Sequence, residues 1–313
     1  MRQPNILAAC FLGAASITFA QIEAPQLGWI PDGARIRPVY GIPAAAAVGA
    51  PIPASQDFAQ IAASPARNYV LVSAADTGIM SIYTQEHGLV PLDGAGSAPD
   101  SVILSPRGFS AALWYSSIHQ IQVITGLPDA PAIRQLDASL LGSAPAALAV
   151  SDDGTWLAGV GTGNVYAFGP TSEVNRLPIE NVVALAFFQG SHNLAAASAA
   201  GLQTVTGIEN FAVLSNLLTS ADSSLQPAAV AATYDNKTVV LADQSGSLTI
   251  IDVASGTATT SDCACQPAGL FGMGPSAFRL TGLDAGAFKL FDAASGQVLF
   301  VPLTLAETEG AAQ

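Results

Sequence analysis

Charged side chains are scarce in this chain of 313 residues, and basic ones are the scarcest. Asp, Glu, Lys and Arg make up 11% of the residues, with 10 basic against 23 acidic side chains and a formal net charge of −13. Nucleic-acid backbones are held by clustered Lys and Arg, and Arg35 and Arg37 are the only close pair. We therefore expect no nucleic-acid partner, and we assign the acidic surplus to solubility.

Cysteine and aromatic residues are also few, at 3 Cys and 7% Phe, Trp and Tyr, whereas half of the chain is hydrophobic. This composition excludes a disulfide scaffold, a coiled coil and a disordered chain. The length allows either one large all-β domain or two smaller domains. Only internal repetition can decide between them.

The first twenty residues predict a cleaved export signal. Arg2 supplies a positive start, residues 6–19 carry no charge, and Thr18 and Ala20 are small residues at the positions that a signal peptidase requires before its cut. A membrane anchor needs about 20 consecutive apolar residues, and a lipid-modified Cys10 would need its apolar stretch before the cysteine. We expect cleavage after Ala20, a periplasmic or secreted protein, and no stable membrane insertion.

Two segments 40 residues apart nearly coincide, Ser247–Gly256 (SLTIIDVASG) and Ala287–Gly296 (AFKLFDAASG). Each follows a tight turn of Asp and Gly, which is typical of a two-strand hairpin. Asp32–Gly33 and Asp76–Gly78 have the same form. A second marker is an apolar strand that ends at a small polar turn, and it recurs with a period of about 40 residues. Its register positions are 64, 105, 151, 188, 233 and 272.

Units of this length that contain four short strands predict a β-propeller. We predict an all-β, single-propeller domain over residues 21–305 with a C-terminal tail at 306–313. Seven blades fit the chain best, and six or eight remain open. Leu27–Ile30 and Arg35–Tyr40 look like the middle strands of a blade that lacks its first strand. We expect Pro302–Leu305 to supply that strand and so to pair the two ends of the chain.

The Ser-Pro/Asp-x-Gly turn, the Asp/Gly hairpin and the FDAASG strand end resemble those of exported bacterial propellers with YVTN or WD40-like repeats. The resemblance covers residues 27–302, although a Trp-Asp strand end and a Gly-His pair are missing. It implies the fold and the compartment. Members of that group include lactone hydrolases, quinoprotein-like modules and interaction proteins, so it implies hardly any function.

Motifs for chemistry are few. His87, His119 and His192 fall in different units, and none has a second ligand at metal-site spacing, so we expect no metal, no cofactor and no catalytic residue. Asp152 and Asp153 could offer oxygens to calcium, but an acidic turn explains them more simply. Cys263 and Cys265 form a possible disulfide in an exported protein.

The first strand of each blade lines the central channel of a propeller, and here those strands are Ala- and Val-rich. Asp100 is the only ionisable residue in them, and loops could add Glu180 and Asn181 at the channel mouth. We therefore favour a non-catalytic binding or interaction scaffold whose loops on one face contact a protein, a glycan or a small molecule. The alternative is a lactonase-like hydrolase or lyase, which requires a convergent set of acid, amide and basic side chains.

Overall fold

The computed structural model describes residues 25–171, 173–220, 224–284 and 286–303. These residues form seven antiparallel sheets arranged as a β-propeller, so the predicted fold and blade number are confirmed. The predicted signal peptide (1–20) and C-terminal tail (306–313) lie outside the described residues. No helix in the described part is long and apolar enough to span a bilayer.

Blade 1 contains three strands: β1 Gln26–Asp32, β2 Arg35–Tyr40 and β3 Ala47–Val48. Blades 2 to 4 contain four strands each: β4 Phe58–Ala63, β5 Val70–Ala74, β6 Met80–Thr84, β7 Gly88–Pro91; β8 Ser101–Leu104, β9 Ser110–Tyr115, β10 Gln120–Thr125, β11 Ala132–Asp137; β12 Leu148–Val150, β13 Leu157–Gly161, β14 Asn164–Phe168, β15 Val174–Glu180. Blades 5 to 7 likewise contain β16 Val182–Phe187, β17 Leu194–Ser198, β18 Gly201–Thr206, β19 Val213–Thr219; β20 Pro227–Ala232, β21 Thr238–Asp243, β22 Ser247–Asp252, β23 Ala258–Asp262; β24 Phe271–Gly272, β25 Ala277–Arg279, β26 Ala287–Asp292, β27 Gln297–Pro302. Three short 3₁₀ turns lie at Pro43–Ala45, Ser116–Ile118 and Ser139–Leu141.

The repeated turn after the first strand has the same hydrogen bond in blades 2 to 6. The N–H of the register residue donates to the carbonyl five residues later, as from Ser64 to Tyr69 and from Ser151 to Trp156. Blade 7 differs, because Met273 donates to Ala277, four residues later, so its register lies one residue beyond the predicted position 272. We call the side of the ring that carries these turns the turn face.

The core lies between the blades. The second strands are the most deeply buried, and every residue of β5, β9 and β13 is buried. The outermost strands are more exposed, and β15 alternates between exposed and buried residues because one of its faces meets water. Seven hydrophobic clusters join each blade to the next, and the cluster of Leu27 and Val39 with Met273 and Phe288 joins blade 7 to blade 1. The ring is therefore closed by apolar packing.

Blade 1 lacks an innermost strand among the described residues. The turn after β1 corresponds to the turn between the second and third strands of blade 2. In blade 1 the carbonyl of this turn, at Ala34, accepts the N–H of Phe58 from the start of the next blade. In blade 2 the carbonyl of Gly78 accepts the N–H of Ala98 in the same way, so β1 and β2 take the places of a second and a third strand. On the channel side of β1, the first strands of the flanking blades approach each other. A Cβ atom added to Gly272 of blade 7 would lie 3.0 Å from Cβ of Pro65 in blade 2.

The two ends of the chain do pair, but not where the sequence predicted. Pro302 belongs to β27 of blade 7, and Leu303 forms a parallel bridge with Val48 in β3, the outermost strand of blade 1. The N–H of Leu303 donates to the carbonyl of Gly286, so Leu303 lies beside the turn that precedes β26 in blade 7. The expectation of an innermost strand also involved Thr304 and Leu305, which lie outside the described residues.

Candidate functional site

A cavity of about 340 Å³ lies on the axis of the ring and is lined by the first strands of blades 2 to 7. Its walls are aliphatic, with Ile61, Ile103, Leu148, Leu185 and Val230 contributed by five blades. This agrees with the Ala- and Val-rich first strands in the sequence. Ligand pockets typically combine apolar walls with a few placed polar groups, so the polar groups of this cavity decide what it can hold.

Trp29 lines the cavity from blade 1, where the other blades present a first strand. Its side chain is 5% exposed, and its ring meets Tyr83 edge-on at a centroid distance of 5.4 Å. The indole Nε1 is buried and has no hydrogen-bond partner among the described residues. A buried N–H without an acceptor is costly, so Trp29 carries a donor behind the cavity wall that no described residue satisfies.

Arg279 is the one basic residue of the cavity wall, and it comes from β25, a second strand. Its guanidinium carbon lies 4.1 Å from the ring centroid of Phe271, and Nη1 donates to the carbonyl of Thr281 at 2.9 Å. No carboxylate of the described chain lies within 4.0 Å of it. Burial lowers the pKa of Arg279 to about 10, because the charged form has lost hydration.

Tyr234 lies in the turn of blade 6 and lines the cavity where it meets the turn face. Its hydroxyl is buried and unbonded within the described chain. Burial raises the pKa of Tyr234 to about 12, and the positive charges of Arg67 and Arg107 partly oppose this shift while Asp152 adds to it. These arginines are therefore close enough to act on the hydroxyl, and they make this mouth of the cavity cationic.

Arg67 has an unusual backbone for its side chain. Its φ is +67°, in the left-handed region, and the turns of blades 3 and 4 have Gly108 and Gly154 at the same position. The Arg67 side chain extends away from its own blade, because a Cβ on Gly274 of blade 7 would lie 3.8 Å from the guanidinium carbon. A strained backbone that keeps a charged side chain at a channel mouth points to a use for that side chain.

Asp152 and Asp153 have separate structural partners. The carboxylate of Asp152 accepts the N–H of Arg107 in blade 3 at 2.7 Å and that of Gly190 in blade 5 at 2.8 Å. Asp153 accepts from Ser151 and from Thr155. The described residues contain no group of three or more His, Cys, Asp or Glu side chains that could hold a metal ion. The acidic turn is therefore a clamp between three blades.

His192 bridges two carboxylates, although the sequence places no ligand or ion-pair partner near it. Its Nε2 lies 3.0 Å from Asp153 Oδ2 of blade 4, and its Nδ1 lies 2.6 Å from Glu209 Oε1. Burial alone would lower the pKa of His192, but the hydrogen bonds to the two carboxylates raise it above the usual value. Because both ring nitrogens face acceptors, the protonated form fits this position best.

The raised pKa of His192 predicts a pH dependence of stability. A group whose pKa is raised by folding stabilises the fold fully below its unfolded value of about 6.5, and this contribution is lost as the pH rises through the folded value. We expect the loss of unfolding free energy in His192→Gln to be larger at pH 5.5 than at pH 9, as measured by urea titration. His87→Gln serves as the control, because His87 is exposed and lies 3.9 Å from its one carboxylate, Glu86. A loss that is equal at both pH values contradicts the charged bridge.

The mouth residues named from the sequence do not line the axial cavity. Asp100 accepts the N–H of Ser116 at 2.6 Å, which lowers the pKa of Asp100, and it lines a second, open pocket in blade 3. Glu180 is exposed, and its Oε1 lies 3.5 Å from Nη2 of Arg176. The next residue, Asn181, has a left-handed backbone with a φ of +55°. The three side chains lie before the first strands of two different blades, away from the turn face.

Cys263 and Cys265 are bonded to each other through their sulfur atoms, in the segment between β23 and β24. Lys289 of blade 7 donates to the carbonyls of Cys263 at 2.8 Å and of Ala264 at 2.6 Å. The disulfide thus lies in a local loop that is fixed to the third strand of the next blade.

Comparisons with known proteins identify the fold and nothing finer. No family model matches the chain, and no curated protein matches it either. Among solved structures, a protein of unknown function from Desulfotomaculum acetoxidans is 13% identical with a TM-score of 0.59, covering 88% of this chain and 95% of that one. Apo AztD from Citrobacter koseri is 12% identical with a TM-score of 0.57, covering 90% and 83%. A second AztD structure gives a TM-score of 0.59 at 12% identity, covering 88% and 80%. At this identity the shared property is the propeller fold, and membership in the YVTN or WD40-like group stays a prediction.

Sequence reasoning missed Arg279 because it looked for channel residues only in first strands. One signal was present: Arg279 is a charged residue in a strand of otherwise apolar residues, between Phe278 and Leu280. In a second strand buried between blades, such a residue needs either a partner or a cavity.

Proposed function

We propose that this protein is an exported binding module that takes a small molecule into its axial cavity, with the turn face as the entrance. Among the partners that the sequence left open, a small molecule fits best, because a volume of about 340 Å³ falls within the usual range of ligand pockets, about 300–1,000 Å³. Export continues to rest on the signal sequence predicted at residues 1–20.

The observation that carries this proposal is the distribution of polarity around the cavity. Aliphatic residues from five blades form much of its wall, Arg279 brings a guanidinium to it, and Trp29 and Tyr234 line it although their own donor atoms are buried. An arrangement of this kind buries an apolar body and orients it by a few hydrogen bonds. Binding of this kind needs no bond-making step.

The alternative, a lactonase-like hydrolase or lyase, is less well supported. General acid–base catalysis works best with a group whose pKa lies near the working pH. The ionisable side chains that line the described cavity are Tyr234, with a pKa raised to about 12, and Arg279, with a pKa of about 10. Neither exchanges protons readily near neutrality, so both are better suited to donating hydrogen bonds to a ligand.

A neutral fluorescent probe tests the binding function directly. We expect N-phenyl-1-naphthylamine to bind the protein in a saturable, 1:1 manner with an increase in fluorescence. Phe271→Ala should weaken this binding at least fivefold, because the Phe271 ring is 44% exposed and lines the cavity. Phe300→Ala is the matched control: Phe300 belongs to the same blade, but it is 70% exposed on the outermost strand. Binding that does not saturate, or that both variants weaken equally, overturns the proposal.

A further inference from the structure

Arg279 is a half-buried cation without a counter-ion among the described residues, in a chain with a surplus of carboxylates. The sequence contains 23 Asp and Glu residues, yet none in the described part forms an ion pair with this guanidinium. A charge taken out of water without a partner is strongly destabilising. Stacking on Phe271 and one hydrogen bond to Thr281 offset only part of that cost.

The guanidinium also has hydrogen-bonding capacity that the fold leaves unused. Arginine carries five N–H donors, and the bond from Nη1 to Thr281 is the one that the described residues provide. The planar arrangement of the remaining donors suits the two oxygens of a carboxylate. The guanidinium borders a cavity whose other walls are mostly aliphatic and aromatic, so a matching ligand needs an apolar body as well as an anionic group.

The mouth of the cavity carries more positive than negative charge, because two arginines and one carboxylate, Asp152, act on the Tyr234 hydroxyl. Arg67 and Arg107 both lie near Tyr234 at the turn face, and the described residues offer neither of them an ion pair. Seven arginines follow the predicted signal peptide, and three of them lie at this one channel of an acidic protein. Clefts lined by one sign of charge attract ligands of the opposite sign.

On the basis of the proposed binding function, we infer that the cavity accepts an amphiphilic monocarboxylate, with the carboxylate on Arg279 and the hydrocarbon body against the aliphatic walls. Arg67 and Arg107 attract the anion to the turn face, and they do not hold it in the bound state.

The test compares decanoate with 1-decanol, which has the same chain length and no charge, as competitors of bound N-phenyl-1-naphthylamine at pH 7.5. We expect decanoate to displace the probe at concentrations at least tenfold lower than decanol. In Arg279→Gln this preference should fall to within twofold, because the affinity for decanoate falls much more than the affinity for decanol. Arg176→Gln is the matched control, because Arg176 is an exposed arginine on the outermost strand β15.

The outcomes separate the two proposals. If the probe binds but decanoate is no better than decanol, or if the preference survives in Arg279→Gln, the carboxylate assignment is wrong and the binding function stands. If neither compound nor the probe binds saturably, the binding function itself fails. Arg279→Lys keeps the charge and loses the stacked plane, so it should retain a reduced preference, and it supplies the comparison if Arg279→Gln does not fold.

Discussion

Asp152→Ala is expected to lower the free energy of unfolding by about 3 kcal/mol, because a carboxylate that joins three blades is lost. The side chain is 7% exposed, and its two oxygens accept the N–H groups of Arg107 and Gly190. Hydrogen bonds to a charged group contribute about 1.5–3 kcal/mol each, and a buried donor left without an acceptor costs about 1–3 kcal/mol. The change can be measured as a shift of the urea midpoint at constant slope.

Two further variants calibrate this result. Asp152→Asn keeps one acceptor oxygen, so we expect it to lose about half as much stability as Asp152→Ala. Asp76→Asn is the control, since Asp76 is exposed and its carboxylate accepts only from the next residue, Thr77; surface changes of this kind usually stay within about 0.5 kcal/mol. A loss of less than 1 kcal/mol in Asp152→Ala contradicts the role of this carboxylate as a clamp.

Gly154→Ala is expected to destabilise the fold by about 3 kcal/mol, for two reasons that can be separated. The φ of Gly154 is +65°, which costs a residue with a Cβ about 1–2 kcal/mol. The new Cβ would also overlap Cγ2 of Thr125 and crowd Cβ of Ser110, so these side chains of blade 3 would have to shift away from blade 4. Gly163→Ala isolates the first cost, because Gly163 has a φ of +83° and nothing lies within 4 Å of its added Cβ.

The converse substitution is Arg67→Gly, which places glycine where the turns of other blades already have it. Glycine removes the free-energy cost of the left-handed backbone in the folded state, but it also raises the conformational entropy of the unfolded chain. These two effects oppose each other and are similar in size, so we expect the free energy of unfolding to change by less than about 0.5 kcal/mol. Decanoate should then associate more slowly at low salt, while its selectivity over decanol persists. Strong destabilisation by Arg67→Gly, or no difference between Gly154→Ala and Gly163→Ala, contradicts this account of the turn.

The repeat could be read from the sequence because it has a local physical cause. Every blade needs a turn after its first strand and a hairpin after its second, and Asp, Ser and Gly are the residues that those turns use. The register positions 64, 105, 151, 188 and 233 accordingly coincide with residues that donate the same turn hydrogen bond. Position 272 was off by one residue, because the turn of blade 7 is shorter.

The candidate site could not be predicted in the same way, because it depends on contacts between blades. The charged bridge of His192 joins Asp153 to Glu209, residues that no local pattern connects. Arg279 belongs to the cavity although its strand is not a first strand. The described part of blade 1 has no innermost strand, and Trp29 of β1 lines the channel at that place. Spacing within one repeat contains no information about these departures from symmetry.

The most direct measurement is a crystal structure of the protein with decanoate at a concentration that saturates it in solution. The account predicts density for one ligand in the axial cavity, with its carboxylate within hydrogen-bond distance of the Arg279 guanidinium and its chain along Leu148, Leu185 and Val230. Decanoate bound elsewhere on the protein, with this cavity holding only water, would contradict the assignment of the channel as the binding site.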